Sequence, residues 1–172
     1  MKRGKNMILV DKNIKELAEN GLLIVKNYKE ENVNCVSYDL TLDLIIDEDL
    51  EKEEYVLKPK EFIMIKTEEE LLIPNNILGR IAEKNSLLRT GLYVSGPHYQ
   101  PGHRTYSFLR VFNMSDKEII LKKGIKIAQI MFEMLQDIPD VTYNKNEKAS
   151  FNNEKSYLKF GKYDEQYKNL IK

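Results

Sequence analysis

The sequence is poor in thiol and imidazole, with one cysteine, Cys35, and two histidines, His98 and His103, in 172 residues. A single thiol excludes an internal disulfide, and one cysteine with two histidines falls short of the His/Cys ligand set from which zinc deaminases are built. An excess of charge of either sign is also lacking: 27 Lys and Arg balance 27 Asp and Glu. No global field therefore draws the chain to DNA, RNA or an anionic membrane, and any anion site has to be local. The charged opening, Met1 to Asn6, leads into no apolar run long enough for a signal peptide or a membrane span. These absences predict a cytoplasmic protein, with neither a nucleic-acid polymer nor a membrane as partner. The length suits one domain with a hydrophobic core and is too short for two enzyme domains.

Local patterns predict one short helix followed by many strands. Asp11 is placed to cap a helix whose Ile14, Leu17 and Ala18 share a face, and Gly21 is placed to end it. From Val36 the pattern becomes alternating, with Val36, Tyr38, Leu40, Leu42, Leu44 and Ile46 on one side and Ser37, Asp39, Thr41, Asp43 and Asp47 opposite, as in a half-buried strand. Asp47 to Glu54 is acidic and reads as a solvated connection. Strand-like runs follow at Tyr55–Leu57, Phe62–Lys66, Leu71–Ile73, Tyr106–Phe112, Ile119–Leu121 and Ile125–Leu135. Turn signals separate them at Lys58-Pro59, Pro74-Asn75-Asn76, Pro101-Gly102 and Gly124. Short strands at this spacing predict an all-β barrel or jelly roll. Asn144 to Asn153 is too polar to order alone, but Phe151, Tyr157 and Phe160 give the tail something to dock with.

Chemistry-bearing residues concentrate in Glu83-Lys84-Asn85-Ser86-Leu87-Leu88-Arg89-Thr90-Gly91-Leu92, followed by Gln100-Pro101-Gly102 and Leu109-Arg110-Val111-Phe112-Asn113. Lys84, Asn85, Ser86 and Arg89 set phosphate-capable donors close together, and Gly91 permits a tight exit. By itself the block is also what a solvated polar helix turn looks like. Its order and spacing resemble the Arg-Ser-Ser-Leu-Ala-Arg-x-Gly-Leu motif of dCTP deaminases, with their Asp-Pro-Gly turn and Leu-Glu-hydrophobic-x-Asn strand downstream. The resemblance to the dCTP deaminase and trimeric dUTPase superfamily extends through Ser37-Tyr38-Asp39-Leu40, Leu57-Lys58-Pro59-Lys60-Glu61-Phe62 and Gly124 to Phe132, and covers about Ile8 to Leu135.

That resemblance implies a mainly β, distorted jelly-roll or β-clip barrel of the dUTPase-like type with a short N-terminal helix. The β domain would span residues 1–142, with residues 143–172 a tail or lid over the nucleotide site. It further implies a homotrimer with its active sites between subunits. In active deaminases of this kind a strand glutamate activates water against C4 of cytosine. No metal sits on protein side chains, and magnesium comes with the nucleotide's triphosphate. The related dUTPases orient water with an aspartate of the turn.

Carried over residue by residue, the acids are gone. Lys84 and Asn85 stand for the motif's first Arg and first Ser, while Ser86 and Arg89 are intact; Lys84 keeps charge without the bidentate fork. Asn85 replaces a hydroxyl near the reacting amino group. Gln100 replaces the turn aspartate, so it is either a plain turn residue or a hydrogen-bonding group that accepts no proton. Arg110 replaces the strand glutamate and is expected to share a face with Tyr106, Phe108 and Phe112. There it either pairs with an acid, such as Glu83 or a group from another subunit, stacks on one of those three aromatics, or serves as an anion ligand. Tyr143 matches a tyrosine near the base, whereas a family lysine and glutamine fall on Ser150 and Glu154. Gln129 bonds either backbone or ligand, and His98 and His103 read as structural or surface residues. The expectation is a pyrimidine-nucleotide binder with impaired or absent catalysis, bound through Lys84, Asn85, Ser86, Arg89, Gln100, Arg110, Gln129 and Tyr143. The alternative is an active dCTP deaminase or dUTPase with a non-standard base.

Overall fold

The computed structural model describes residues 7–168 and Leu170. Strand β1 (Met7–Ile8) leads into helix α1 (Asp11–Glu19), which buries Ile14 and Ala18 on the expected face. The cap position belongs to Val10. Asp11 is instead the first helical residue, where its Oδ1 accepts the Lys12 N–H at 2.8 Å and its charge favours the helix N-terminus. Gly21 ends the helix in a left-handed turn at φ 72°, donating its N–H to the Ala18 carbonyl.

The remaining strands are β2 (Leu23–Lys26), β3 (Tyr38–Asp47), β4 (Leu50–Lys52), β5 (Glu54–Leu57), β6 (Phe62–Leu72) and β7 (Ile77–Ala82). After the one-turn helix α2 (Asn85–Leu88) come β8 (Leu92–Ser95), β9 (His98–Tyr99), β10 (Arg104–Asn113), β11 (Ile119–Lys122) and β12 (Lys126–Met134), then a tail ending near helix α3 (Glu165–Lys168). Ten strands form one antiparallel sheet with the path β8-β10-β6-β3-β12-β7-β9, onto which β1, β2 and β4 add at β12, β6 and β3. The sheet curls into a half-barrel, and β5 and β11 form a separate ribbon. The fold is mainly β, as expected.

Two departures from the expected pattern shape the interior. In β3 the alternation breaks at a bulge: Leu42 faces Thr67 and Leu44 faces Lys66, so Asp43 is the extra residue. Beyond it the phase shifts, burying Ile45 completely and leaving Leu44 half-buried. The second departure concerns Thr67 to Glu70, which separate two apolar runs in the sequence but lie inside one continuous strand, β6. Thr67, Glu69 and Glu70 are all buried there. The strand tolerates them because the carboxylates have partners. Glu69 accepts the Thr41 N–H at 3.0 and 3.1 Å, and Glu70 pairs with Lys26 at 2.9 Å and Arg104 at 2.7 Å.

The acidic stretch after β3 is exposed as expected, yet it is a hairpin, with a turn at Glu48 and Asp49 between β3 and β4. Strands β2, β7, β8 and β9 carried no clear pattern. They are short, and Gly79 with Arg80 interrupts the apolar run of β7. The tail docks along the start of β10. Tyr143 N–H donates to the Pro101 carbonyl at 2.8 Å, Asn153 N–H to Arg104 at 2.7 Å, and Tyr106 N–H to Glu154 at 3.2 Å. Thr105 and Glu154 form a parallel bridge, and Tyr157 packs on Phe108 with ring centroids 5.8 Å apart.

Candidate functional site

The residues singled out from sequence fall into three places on one chain. The first surrounds α2. Lys84 precedes the helix, and its Nζ lies 2.7 Å from Oδ2 of Asp39, a buried residue of β3. The other oxygen of Asp39 accepts from Gln129 Nε2 at 3.2 Å and Asn34 Nδ2 at 3.0 Å. Lys84 and Gln129 are thus brought together on a buried acid, and Gln129 bonds a side chain rather than backbone. Asn85, Ser86 and Arg89 are exposed on α2, with Arg89 Nε donating to Asn85 Oδ1 at 3.3 Å. The chain leaves this turn at Gly91, φ 87°, where a Cβ would lie 2.7 Å from that of Ser115.

The second place is a cleft of about 370 Å³ between β9, β10 and the tail, within the size range of small-molecule sites. Gln100 and Tyr143 line it, together with Tyr106, Phe108, Glu154 and Tyr157. The tight turn at Gly102, φ 80°, brings the tail in: a Cβ there would run into the Asn144 side chain. His103 is buried and packs against Tyr143, the rings tilted by 38° with centroids 4.1 Å apart. Its Nε2–H donates to the Phe151 carbonyl at 3.0 Å, and Nδ1 has no partner among the described residues. Burial holds its pKa below the usual histidine value, so at neutral pH it is an uncharged wall of the cleft. His98 is exposed at the rim.

Glu154 differs from the other cleft residues. Burial pushes its carboxyl up to about 7, against a smaller opposing effect of the Leu158 N–H that donates to Oε1 at 2.8 Å. From sequence it read only as a lost amide in a lid. The signal that would have singled it out is spatial, because only the folded tail surrounds it with Tyr106, Phe108 and Tyr157.

Arg110 forms the third place. It is exposed in the single chain rather than sheltered, and no acid pairs with it among the described residues. Its guanidinium lies over the Phe62 ring, 4.8 Å from the centroid, beside a shallow depression that Tyr93, Ser95 and Phe112 complete. The ring it stacks on is Phe62 of the neighbouring strand β6, not one of the three aromatics of its own strand. Phe108 and Phe112 share its outward face, while Leu109 and Val111 point into the core.

With this geometry in place, comparison with known proteins is specific. The dCTP deaminase-like family matches residues 43–135. A dUMP-forming dCTP deaminase of Aquifex aeolicus is 32% identical over 157 residues, covering 80% of this chain and 87% of that protein. A dCTP deaminase of Pyrococcus horikoshii is 30% identical, over 74% of this chain and 86% of its own length. The chain belongs to the dCTP deaminase-like family. Among solved structures, the 2′-deoxycytidine 5′-triphosphate deaminase of Agrobacterium tumefaciens superposes with a TM-score of 0.63 at 16% identity. The superposition covers 76% of this chain and half of the Agrobacterium chain, and shows a shared fold. Among the described residues no helix is long and apolar enough to cross a membrane, and no three His, Cys, Asp or Glu side chains converge as a metal-ligand set.

Proposed function

We propose that this protein binds a pyrimidine nucleotide, or a related phosphorylated nucleotide signal, without deaminating or hydrolysing it. The reading is carried by Arg110, an exposed guanidinium stacked on Phe62 where the family's motif has its water-activating glutamate. A guanidinium stays protonated at every pH a folded protein survives, so it can hold an anion but cannot take a proton from water. Gln100, in the cleft, replaces the acid of the turn with an amide that is no base either. The aromatic cleft suits a base, and exposed Ser86 and Arg89 suit phosphates, on which magnesium would ride. In one chain these groups lie apart. The reading therefore includes a homotrimer that joins the cleft of one subunit to α2 of the next.

A second reading, deamination of dCTP or hydrolysis of dUTP through another carboxyl, is favoured by the names of the relatives and by Glu154 in the cleft. The two separate in one experiment, in which purified protein is titrated with dCTP and dUTP in magnesium from about pH 6 to 9, with product analysis of the same samples. Binding without product is expected, for the native protein and for Arg110→Glu alike, because Asn85 and Gln100 still leave proton transfer and water orientation incomplete. Steady turnover that scales with protein and survives a second purification overturns the proposal.

A further inference from the structure

We infer that Glu154 makes ligand binding proton-coupled: its carboxyl O–H donates a hydrogen bond to an acceptor on the nucleobase, and its ionised form excludes that ligand. The inference rests on the nucleotide-binding reading and names the residue that reads the base. Its geometric basis is the cleft itself. Glu154 lines it among Tyr106, Phe108, Tyr143 and Tyr157, with one oxygen, Oε1, fixed as acceptor of the Leu158 N–H at 2.8 Å. A proton on this carboxyl is therefore directed to Oε2, which has no hydrogen-bond partner among the described residues. The main chain of Glu154 is clamped to Tyr106, so the carboxyl cannot easily withdraw to solvent.

Among the described residues no cation pairs with it. The titratable and charged groups around it are Tyr99 and the exposed His98 on β9, Tyr106 and the more distant Arg110 on β10, and buried, uncharged His103 between those strands. From the tail come Tyr143, Tyr157 and rim Lys159. None of them forms an ion pair with Glu154 among the described residues. Burial already holds the carboxyl near pH 7. A ligand that fills the cleft removes the remaining water, and its phosphates add negative charge; both disfavour the carboxylate further. Binding must then draw in a proton above pH 7, and affinity falls as pH rises through that value.

The test uses the full chain with dCTP and dUTP in magnesium, comparing the native protein with Glu154→Gln, whose amide keeps both the acceptor for Leu158 and a donor toward the cleft. The ratio of native to variant Kd is expected to rise about tenfold between pH 6 and pH 8, the ligand's own titration cancelling in the ratio. Calorimetry of the native protein at pH 8, in two buffers of different ionisation heat, is expected to show uptake of close to one proton per site. Binding with parallel pH profiles, or with no proton uptake by the native protein, overturns the role of Glu154 alone. Absence of binding at every pH overturns the nucleotide reading together with it.

Discussion

Glu69 shows what a single residue contributes that its sequence position hides. In the run Thr67 to Glu70 it reads as a polar interruption, yet it is fully buried, with both oxygens on the Thr41 N–H. Burial outweighs those hydrogen bonds and raises its carboxyl to about 7. A carboxyl whose folded pKa lies above its unfolded value binds its proton more tightly when folded. The associated stability is present below about pH 4.5 and is lost as pH climbs to about 7. The loss is on the order of 3 kcal/mol. Thermal melts at pH 5.5 and 8 are expected to show a smaller drop in Tm for Glu69→Gln than for the native protein, and equal drops would sink the argument. Residue environments were legible where a polar run marks a solvated turn, as for the exposed Ser86 and Arg89. They were hidden where burial sets them, as for Glu69 and Glu154, because charge in a sequence gives no sign of the water it will lose.

Elements were legible where periodicity is long. Strand β12, the first half of β6 and helix α1 lie where their patterns predict, while the four-residue β2 and β8 offer too few positions for alternation to register. The bulge at Asp43 was invisible for a related reason, since an extra residue is defined only against its partner strand. The junction of β3, α2 and β12 is held by polar groups rather than by pattern. Asp39 joins Lys84, Gln129 and Asn34 across three segments of chain. Removing the ammonium leaves the buried carboxylate with Lys126 alone as its cation, at 3.7 Å, so Lys84→Ala is expected to cost on the order of 2 kcal/mol, read as a lower urea midpoint. Pairing it with Asp39→Asn should recover part of the loss, because a neutral amide still serves Gln129 and Asn34. A single variant as stable as the native protein would show that the pair is held only loosely.

At the scale of the whole molecule, the separation of α2, the cleft and Arg110 on one chain decides what assembly must do. Light scattering at micromolar concentration is expected to give about three times the chain mass of 20.2 kDa. A stable monomer would leave the three places unjoined. With Lys84 committed to Asp39, the proposed function leaves Arg89 the larger part of phosphate binding, and Arg89→Ala is expected to weaken dCTP or dUTP binding about tenfold or more without altering the melt. Unchanged affinity would move the phosphates elsewhere. The mainly β class was legible in turn spacing. The separation of α2, the cleft and Arg110 within one chain was not, since spacing along a chain says nothing of which residues folding brings together. The tail is fastened by main-chain hydrogen bonds, from Tyr143 to Pro101, Asn153 to Arg104 and Tyr106 to Glu154. Such a fastening is indifferent to side-chain identity. Substitution of those cleft side chains that do not also hold the tail, such as Gln100, can therefore change the polarity of the cleft while the tail stays seated.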